Sequence, residues 1–155
     1  MTEITRHFTA TTFIVHGGKV LLHRHGKQGL WLPPGGHIER DELPHHAAVR
    51  EIEEETGLRL RLHSEQEAEE MAAEMACGVV PQPAFILIED INPFHQHVDF
   101  TYFAAADLIS ADLPVAGRQN GFAWFSPGEL DMDGVPQNVK EGARRAIAYF
   151  APVEA

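Results

Sequence analysis

The sequence is short of cysteine and has no long apolar run. Its 155 residues include one cysteine, Cys77, so no disulfide can form within the chain and a reducing compartment is expected. With no base beside it in sequence, Cys77 is expected to be a buried thiol. No stretch approaches the roughly 18 consecutive apolar residues of a membrane span, and the first residues lack the apolar core of a secretory signal. We therefore expect a cytoplasmic protein with no membrane partner.

Basic charge is also scarce. Twelve Lys and Arg stand against 23 Asp and Glu, which gives a formal net charge of −11 with histidine neutral. Proteins that bind nucleic-acid polymers concentrate basic side chains to neutralise phosphates, so no such polymer is expected as a partner. A small phosphorylated substrate is compatible with this charge if metal cations offset the repulsion. Because no linker or repeat divides the sequence, residues 1–155 are expected to form a single domain.

Apolar and turn residues predict strands mixed with helices. The two glycines Gly17-Gly18 predict a hairpin turn between the first two strands. The composition predicts strands over residues 9–15, 19–23, 84–88 and 98–104. Helices are expected over residues 44–56 and 65–76 and at the end of the chain. Together these elements predict an α/β fold in which helices cover the faces of a sheet.

Several residues are expected to cap the second and the last predicted helix. Ser64 and Glu67 have the spacing of a capping box, and Gly78 is expected to close the second helix. Asn138 and Glu141 are expected to cap the last helix.

The acidic residues are concentrated in one segment. Residues 39–55 hold seven of the 23 carboxylates, and no lysine occurs between residues 28 and 139. Glu51, Glu54 and Glu55 are spaced i, i+3 and i+4, so the predicted helix carries them on one face. Like charges in this arrangement destabilise a helix, and hard divalent ions such as Mg²⁺ prefer carboxylate oxygens. The cluster is therefore either a solvated acidic face or a metal site.

The sequence around this cluster distinguishes the two interpretations. From Gly36 to Leu58 the chain reads GHIERDELPHHAAVREIEEETGL. This segment resembles the Nudix box, G-x5-E-x7-R-E-U-x-E-E-x-G-U with U an aliphatic residue, and every fixed position is filled. The preceding segment 31–36, WLPPGG, is similar to the family's usual approach to the box. Residues 124–130, WFSPGEL, resemble a common feature near the family's C-terminus.

The resemblance implies a fold and a site. The expected fold is a Nudix-type α/β/α sandwich with a mixed β-sheet between helices, in which the box forms a loop, a helix and a second loop. Glu51, Glu54 and Glu55 are expected to bind Mg²⁺ or Mn²⁺ beside the backbone of Gly36. By the same resemblance, Glu51, Glu54 and Arg50 are the expected catalytic residues. The Arg50 guanidinium is suited to reach back to Glu42 and hold the loop against the helix.

The family's usual reaction is hydrolysis of a nucleoside diphosphate linked to another group. We therefore expect a metal-dependent nucleotide pyrophosphohydrolase that acts on a small-molecule substrate. One alternative is a Nudix-like module that senses a nucleotide without hydrolysing it, although such modules tend to lose box carboxylates. Another is an isomerase on the same scaffold, which usually shows an altered box. The substrate is left open, since Ala73 stands where ADP-ribose pyrophosphatases tend to carry a proline.

Three further assignments have two or more interpretations. Family members use either a box glutamate or an acid from a later loop as general base, and Glu89 and Asp90 are candidates for the loop role or exposed turn acids. His95 and His97 lie two apart, so on a strand they share one side. They are either polar strand positions or ligands for a transition metal or phosphate. The helix over 65–76 is an interface of a homodimer, a lid or a packed core helix.

Overall fold

The computed structural model describes residues 3–26, 29–107 and 121–153. The strands are β1 (Thr5–His16), β2 (Lys19–His25), β3 (Leu30–Leu32), β4 (Gly35–His37), β5 (Phe85–Asn92), β6 (His95–Ala105) and β7 (Phe122–Phe125). The helices are α1 (Pro44–Thr56), α2 (Glu65–Met75) and α3 (Gln137–Phe150), with a short 3-10 turn at Glu129–Asp131.

Strand β1 is the centre of a mixed sheet. The strand order is β3-β2-β1-β6-β5, with β4 also paired to β1 and β7 to β2. Strands β1 and β6 run parallel, in register from Thr5 opposite His95 to Val15 opposite Ala105. The other strand pairs are antiparallel. The mixed sheet that the sequence predicted is therefore confirmed.

The two faces of β1 belong to two different cores, because successive side chains of a strand point to opposite faces. Ala10 and Ile14 pack with residues of α1, whereas Phe13 and Val15 pack with residues of α3. The buried helix residues are Ala47, Ala48 and Ile52 of α1, and Val139, Ala143 and Ala146 of α3. One helix thus covers each face of the sheet, which confirms the predicted α/β/α sandwich.

Glycine and proline residues determine the β1–β2 hairpin and the ends of α1, which were predicted correctly. Gly17 and Gly18 both have positive φ, 56° and 72°, as a two-residue hairpin turn of this kind requires. Helix α1 occupies its predicted range. Pro44 supplies the preset φ of its first turn, and Gly57 ends it in the left-handed conformation with φ 74°.

The predicted caps of α2 and α3 are wrong. Ser64 donates its hydroxyl hydrogen bond to the carbonyl of Gln82 (2.6 Å) rather than accepting one from the first turn of α2. Helix α2 ends at Met75, with Ala76 in the left-handed conformation, and not at Gly78. In α3, Asn138 and Glu141 lie inside the helix, and neither caps it. The expected burial of Cys77 is also wrong, since this thiol is exposed.

Helix α2 packs lightly on the rest of the protein. Ala68 is its buried residue, while Met71 and Met75 are 42% and 61% exposed. Arg61 pairs with both Glu65 and Glu69 at the solvent-facing side of the helix. The core-helix interpretation of this segment is therefore wrong, and the interface and lid interpretations stay open. No helix among the described residues is long and apolar enough to cross a membrane.

Candidate active site

Arg50 connects the loop of the box to its helix. Its Nε and Nη2 atoms donate to the two carboxylate oxygens of Glu42 at 2.7 and 2.9 Å. Its Nη1 atom donates to Glu51 (2.9 Å) and Glu54 (3.1 Å), and Nη2 also donates to the carbonyl of His37 (3.0 Å). Hydrogen bonding from Arg50 lowers the pKa of Glu42, and hydrogen bonding to Glu42 raises the pKa of Arg50. The guanidinium of Arg50 thus connects the loop, the strand β4 and the acidic face of α1.

Gly36 lies against the acidic face of α1. A Cβ atom at this position would overlap with the carboxylate of Glu51. The glycine therefore leaves the space that the Glu51 side chain needs beside the backbone of β4. Gly35 has a different constraint, because a Cβ atom there would lie 2.6 Å from the Ala10 carbonyl oxygen and 2.9 Å from Thr11 Cα.

Glu55 is a half-buried candidate metal-binding carboxylate, with 26% of its side chain exposed, against 14% for Glu51 and 59% for Glu54. Burial, with the negative charge of Glu51 as a second cause, raises its pKa to about 7. Its Oε2 atom is buried without a hydrogen-bond partner among the described residues. The His23 Nε2 atom lies 3.7 Å away, and burial lowers the pKa of that imidazole. Because burial disfavours the charged form of both groups, this contact is not a strong ion pair.

These carboxylates have the chemistry of a site for a hard divalent cation. Glu51, Glu54 and Glu55 lie on one face of α1, and the Arg50 guanidinium is shared among Glu42, Glu51 and Glu54. A buried carboxylate oxygen without a partner costs free energy unless an ion or a proton satisfies it. Oxygen donors of this kind suit Mg²⁺ and Mn²⁺. The residues present therefore fit such an ion.

A cleft of about 530 Å³ lies on the α3 face of the sheet, next to the box. Gly35, Gly36 and His37 form its border with the box, and Leu87 and Ile91 give it apolar walls. A larger groove of about 920 Å³ lies between α1 and α2, and four glutamates line it: Glu53, Glu54, Glu65 and Glu69. The cleft is thus the less acidic of the two concave surfaces that flank the box.

The two candidate general bases point to opposite faces of the sheet, because successive side chains of a strand alternate. Glu89 and Asp90 lie within β5, so the expectation of turn acids after a strand is wrong. Glu89 lines the cleft and accepts a hydrogen bond from Asn138 Nδ2 (2.9 Å). Burial, with the charge of Asp99 as a second cause, raises its pKa. Asp90 instead accepts from Gln96 at the exposed side of the hairpin (2.8 Å).

The cleft contains residues that the sequence did not single out. Asp99 of β6 is 3% exposed and accepts hydrogen bonds from the hydroxyls of Thr9 (2.7 Å), Thr11 (2.6 Å) and Thr101 (2.6 Å). His7 and His37 lie beside His97 at the rim. These groups come together through pairing of strands that are distant in sequence, and no local pattern marks them.

Comparison with known proteins identifies the family of the chain. The NUDIX domain family model matches residues 5–150. The crystal structure of a NUDIX-family hydrolase from Clostridium perfringens superposes with a TM-score of 0.77 at 33% identity, covering 96% of this chain and 100% of that chain. A putative 8-oxo-dGTP diphosphatase of Bacillus subtilis is 28% identical over 137 residues, 86% of this chain and 77% of that protein.

A third relative matches over a shorter stretch. The m7GpppN-mRNA hydrolase of Xenopus laevis is 50% identical over 48 residues, which are 28% of this chain and 16% of that protein. The matched stretch therefore spans less than a fifth of that relative's length. The family match itself covers most of the chain, so the chain belongs to the NUDIX family. It is a Nudix-type hydrolase of phosphorus-containing acid anhydrides, and two of its relatives are named as a NUDIX-family hydrolase and a putative diphosphatase.

Proposed function

We propose that this enzyme is a Mg²⁺-dependent pyrophosphohydrolase of a small nucleotide, with Mn²⁺ able to replace Mg²⁺. The observation that carries the proposal is the acidic face of α1, where the Glu51 carboxylate lies against Gly36 and a buried oxygen of Glu55 lacks a partner among the described residues. Nudix hydrolases generally use divalent ions. The retention of every box carboxylate favours hydrolysis over a sensor or an isomerase.

The three glutamates would hold the ion, with the Gly36 backbone beside them. When bound, the ion would supply charge neutralisation for the phosphates and a lowered pKa for a water ligand. Arg50 is a positioning residue in this proposal, because its donors already bind Glu42, Glu51 and Glu54. It would hold Glu51 and Glu54 in place beside the loop, where they would bind the ion.

We assign the general base to Glu89 rather than to Asp90. A general base works best when its pKa lies near the operating pH. Burial raises the pKa of Glu89 toward that range, and the side chain lines the cleft together with Gly36 and His37. In this role Glu89 would take a proton from the attacking water as the phosphorus–oxygen bond to the leaving group breaks.

The nucleoside part of the substrate is assigned to the cleft on the α3 face. Leu87 and Ile91 offer apolar contact there, and Asn138 lines the same cleft. The groove between α1 and α2 would repel an anionic nucleotide, since its four glutamates outnumber Arg50. Two relatives carry names that specify different substrates, a capped mRNA and 8-oxo-dGTP, so the name of neither fixes the substrate of this chain.

The proposal also includes the domain organisation, the cellular compartment and the partners of the protein. We propose that residues 1–155 form one domain that acts on small nucleotides in the cytoplasm and not on nucleic-acid polymers or membranes. A homodimer through α2 is proposed on the exposure of Met71 and Met75.

A substrate panel tests the proposal. Purified protein is incubated with nucleoside triphosphates and their oxidised forms, ADP-ribose, NADH, dinucleoside polyphosphates and nucleotide sugars, and the products are separated and quantified. Each reaction is run with Mg²⁺, with Mn²⁺ and with a chelator. We expect cleavage of one class at a pyrophosphate bond, with loss of turnover in the chelator. Folded, Mg²⁺-binding protein that cleaves no substrate of the panel would favour the sensor alternative instead.

A further inference from the structure

Three histidines from three different strands meet at the rim of the cleft. His7 of β1 lies directly opposite His97 of β6, and His37 of β4 follows Gly36, which is opposite Ala10 of β1. The ring centroids of His37 are 5.4 Å from His7 and 5.2 Å from His97, and those of His7 and His97 are 6.4 Å apart. One ring nitrogen from each of the three lies within 4.8 Å of the others.

We propose that His7, His37 and His97 bind one divalent transition-metal ion, of the Zn²⁺ class, at a site separate from the carboxylates of the box. Imidazole nitrogens prefer such ions, whereas Mg²⁺ prefers oxygen ligands. Three protein ligands leave a fourth tetrahedral position for water or a substrate oxygen. His37 and His97 line the cleft, so that position is accessible from the side assigned to the nucleotide.

The separations between the ring nitrogens are compatible with a metal site after small side-chain movements. Zn–N bonds of roughly 2.0–2.1 Å place tetrahedral ligand nitrogens about 3.4 Å apart. The nitrogens at up to 4.8 Å therefore have to approach by at most roughly 1.4 Å. His7 and His37 are exposed, so rotation of their side chains can supply this movement without displacing the strands. A polar-surface interpretation does not explain why three strands each place an imidazole at one point.

A fourth histidine, His95, is a neighbour of the proposed site and not one of its ligands. His95 lies beside the cluster, with its ring centroid 4.5 Å from that of His7. Of the two histidines that the sequence offered as possible metal ligands, we therefore assign the role of ligand to His97 and not to His95.

The proposed site is also connected to the catalytic loop. The carbonyl of His37 accepts a hydrogen bond from Arg50 (3.0 Å), the residue that holds the carboxylates. The proposal does not depend on hydrolysis, because its three ligands belong to β1, β4 and β6 and not to α1. A failure of the proposed reaction would therefore leave the metal site to be tested by itself.

Cobalt spectroscopy on the untagged, metal-stripped chain tests the proposal. Co²⁺ in a tetrahedral nitrogen site absorbs visible light much more strongly than Co²⁺ in an octahedral oxygen site. With excess Mg²⁺ present to fill the box, we expect one equivalent of Co²⁺ to develop the tetrahedral band and one equivalent of Zn²⁺ to abolish it. The Glu54→Gln variant should give the same band, because its change lies in the other site.

The variants identify the ligands. His97→Ala and His7→Ala should each weaken Co²⁺ binding at least about tenfold, with unchanged circular dichroism. The matched control is His46→Ala, which removes an exposed histidine outside the cluster that lies beside His45. A wild-type chain without the tetrahedral band would overturn the proposal. So would a band that survives in both His7→Ala and His97→Ala, or one that His46→Ala removes equally.

Discussion

The Glu51 carboxylate lies so close to Gly36 that a methyl group on the glycine would overlap with it. The obstructing atoms are the end of a flexible side chain, so an alanine can be accommodated if Glu51 moves away. We therefore predict that Gly36→Ala weakens Mg²⁺ binding at least about tenfold. The melting temperature of the metal-free protein should change little. Calorimetric titration of Mg²⁺ and thermal unfolding measure the two effects.

The control for this prediction is the preceding residue. In Gly35→Ala the new Cβ would meet backbone atoms of Ala10 and Thr11, which cannot move without shifting β1. This variant should lose about 1–3 kcal/mol of unfolding free energy. A Gly36→Ala variant that binds Mg²⁺ normally would show that Glu51 does not need the space beside the glycine.

Replacement of Arg50 by lysine tests its positioning role. An ammonium group cannot reproduce the two parallel hydrogen bonds to Glu42 or contact Glu51 and Glu54 at the same time. Arg50→Lys should reduce kcat or metal affinity about 10- to 100-fold. The control is Arg59→Lys, because Arg59 pairs with Glu53 while its side chain is 84% exposed. Equal activity of the two variants would contradict the positioning role.

The raised pKa of Glu55 predicts how stability depends on pH. Its pKa is about 7 in the folded protein without metal, against 4.5 for an ordinary glutamate. The folded state therefore holds this proton more tightly than the unfolded chain, and the contribution of Glu55 to stability falls as pH rises from about 4.5 to about 7. Because Mg²⁺ requires the carboxylate, its apparent affinity should be about tenfold weaker at pH 6 than at pH 8.

Thermal unfolding with and without Mg²⁺ at the two pH values measures this effect. The increase in melting temperature caused by Mg²⁺ should be larger at pH 8. In Glu55→Gln the difference between the two pH values should shrink, since no proton competes with the ion at this position. A Mg²⁺ effect in the wild-type protein that is the same at pH 6 and pH 8 would contradict the assignment of Glu55.

Two adjacent residues test the general base. Glu89→Gln should reduce kcat about 10²- to 10⁴-fold, whereas Asp90→Asn should leave kcat unchanged because Asp90 lies outside the cleft. The assay is steady-state hydrolysis of whichever nucleotide the panel identifies. Near wild-type turnover in Glu89→Gln would return the role of base to a glutamate of the box.

The sequence predicted those parts of the fold that local chemistry determines. The prolines and glycines around α1 mark both of its ends, and two consecutive glycines define the first hairpin. The spacing of Glu51, Glu54 and Glu55 on a helix places them on one face without knowledge of the rest of the fold.

The parts that depend on distant pairing could not be predicted. His7 and His97 meet because β1 pairs in parallel with β6, 90 residues later in the chain. Whether Glu89 or Asp90 enters the cleft depends on the register of β5, in which a shift by one residue exchanges the two sides. The predicted cap at Ser64 was wrong for a similar reason, because its hydroxyl donates to the distant carbonyl of Gln82 and not to a group of its own helix.

The most direct test of the account is hydrolysis by Glu54→Gln beside Glu53→Gln, at saturating Mg²⁺. Both changes remove one charge from exposed positions of the same helix, but Glu54 contacts Arg50 within the carboxylate cluster whereas Glu53 pairs with Arg59. We predict that Glu54→Gln loses turnover by orders of magnitude with an unchanged melting temperature, while Glu53→Gln resembles the wild-type protein. Equal turnover in the two variants would contradict the assignment of the acidic face of α1 as the metal site.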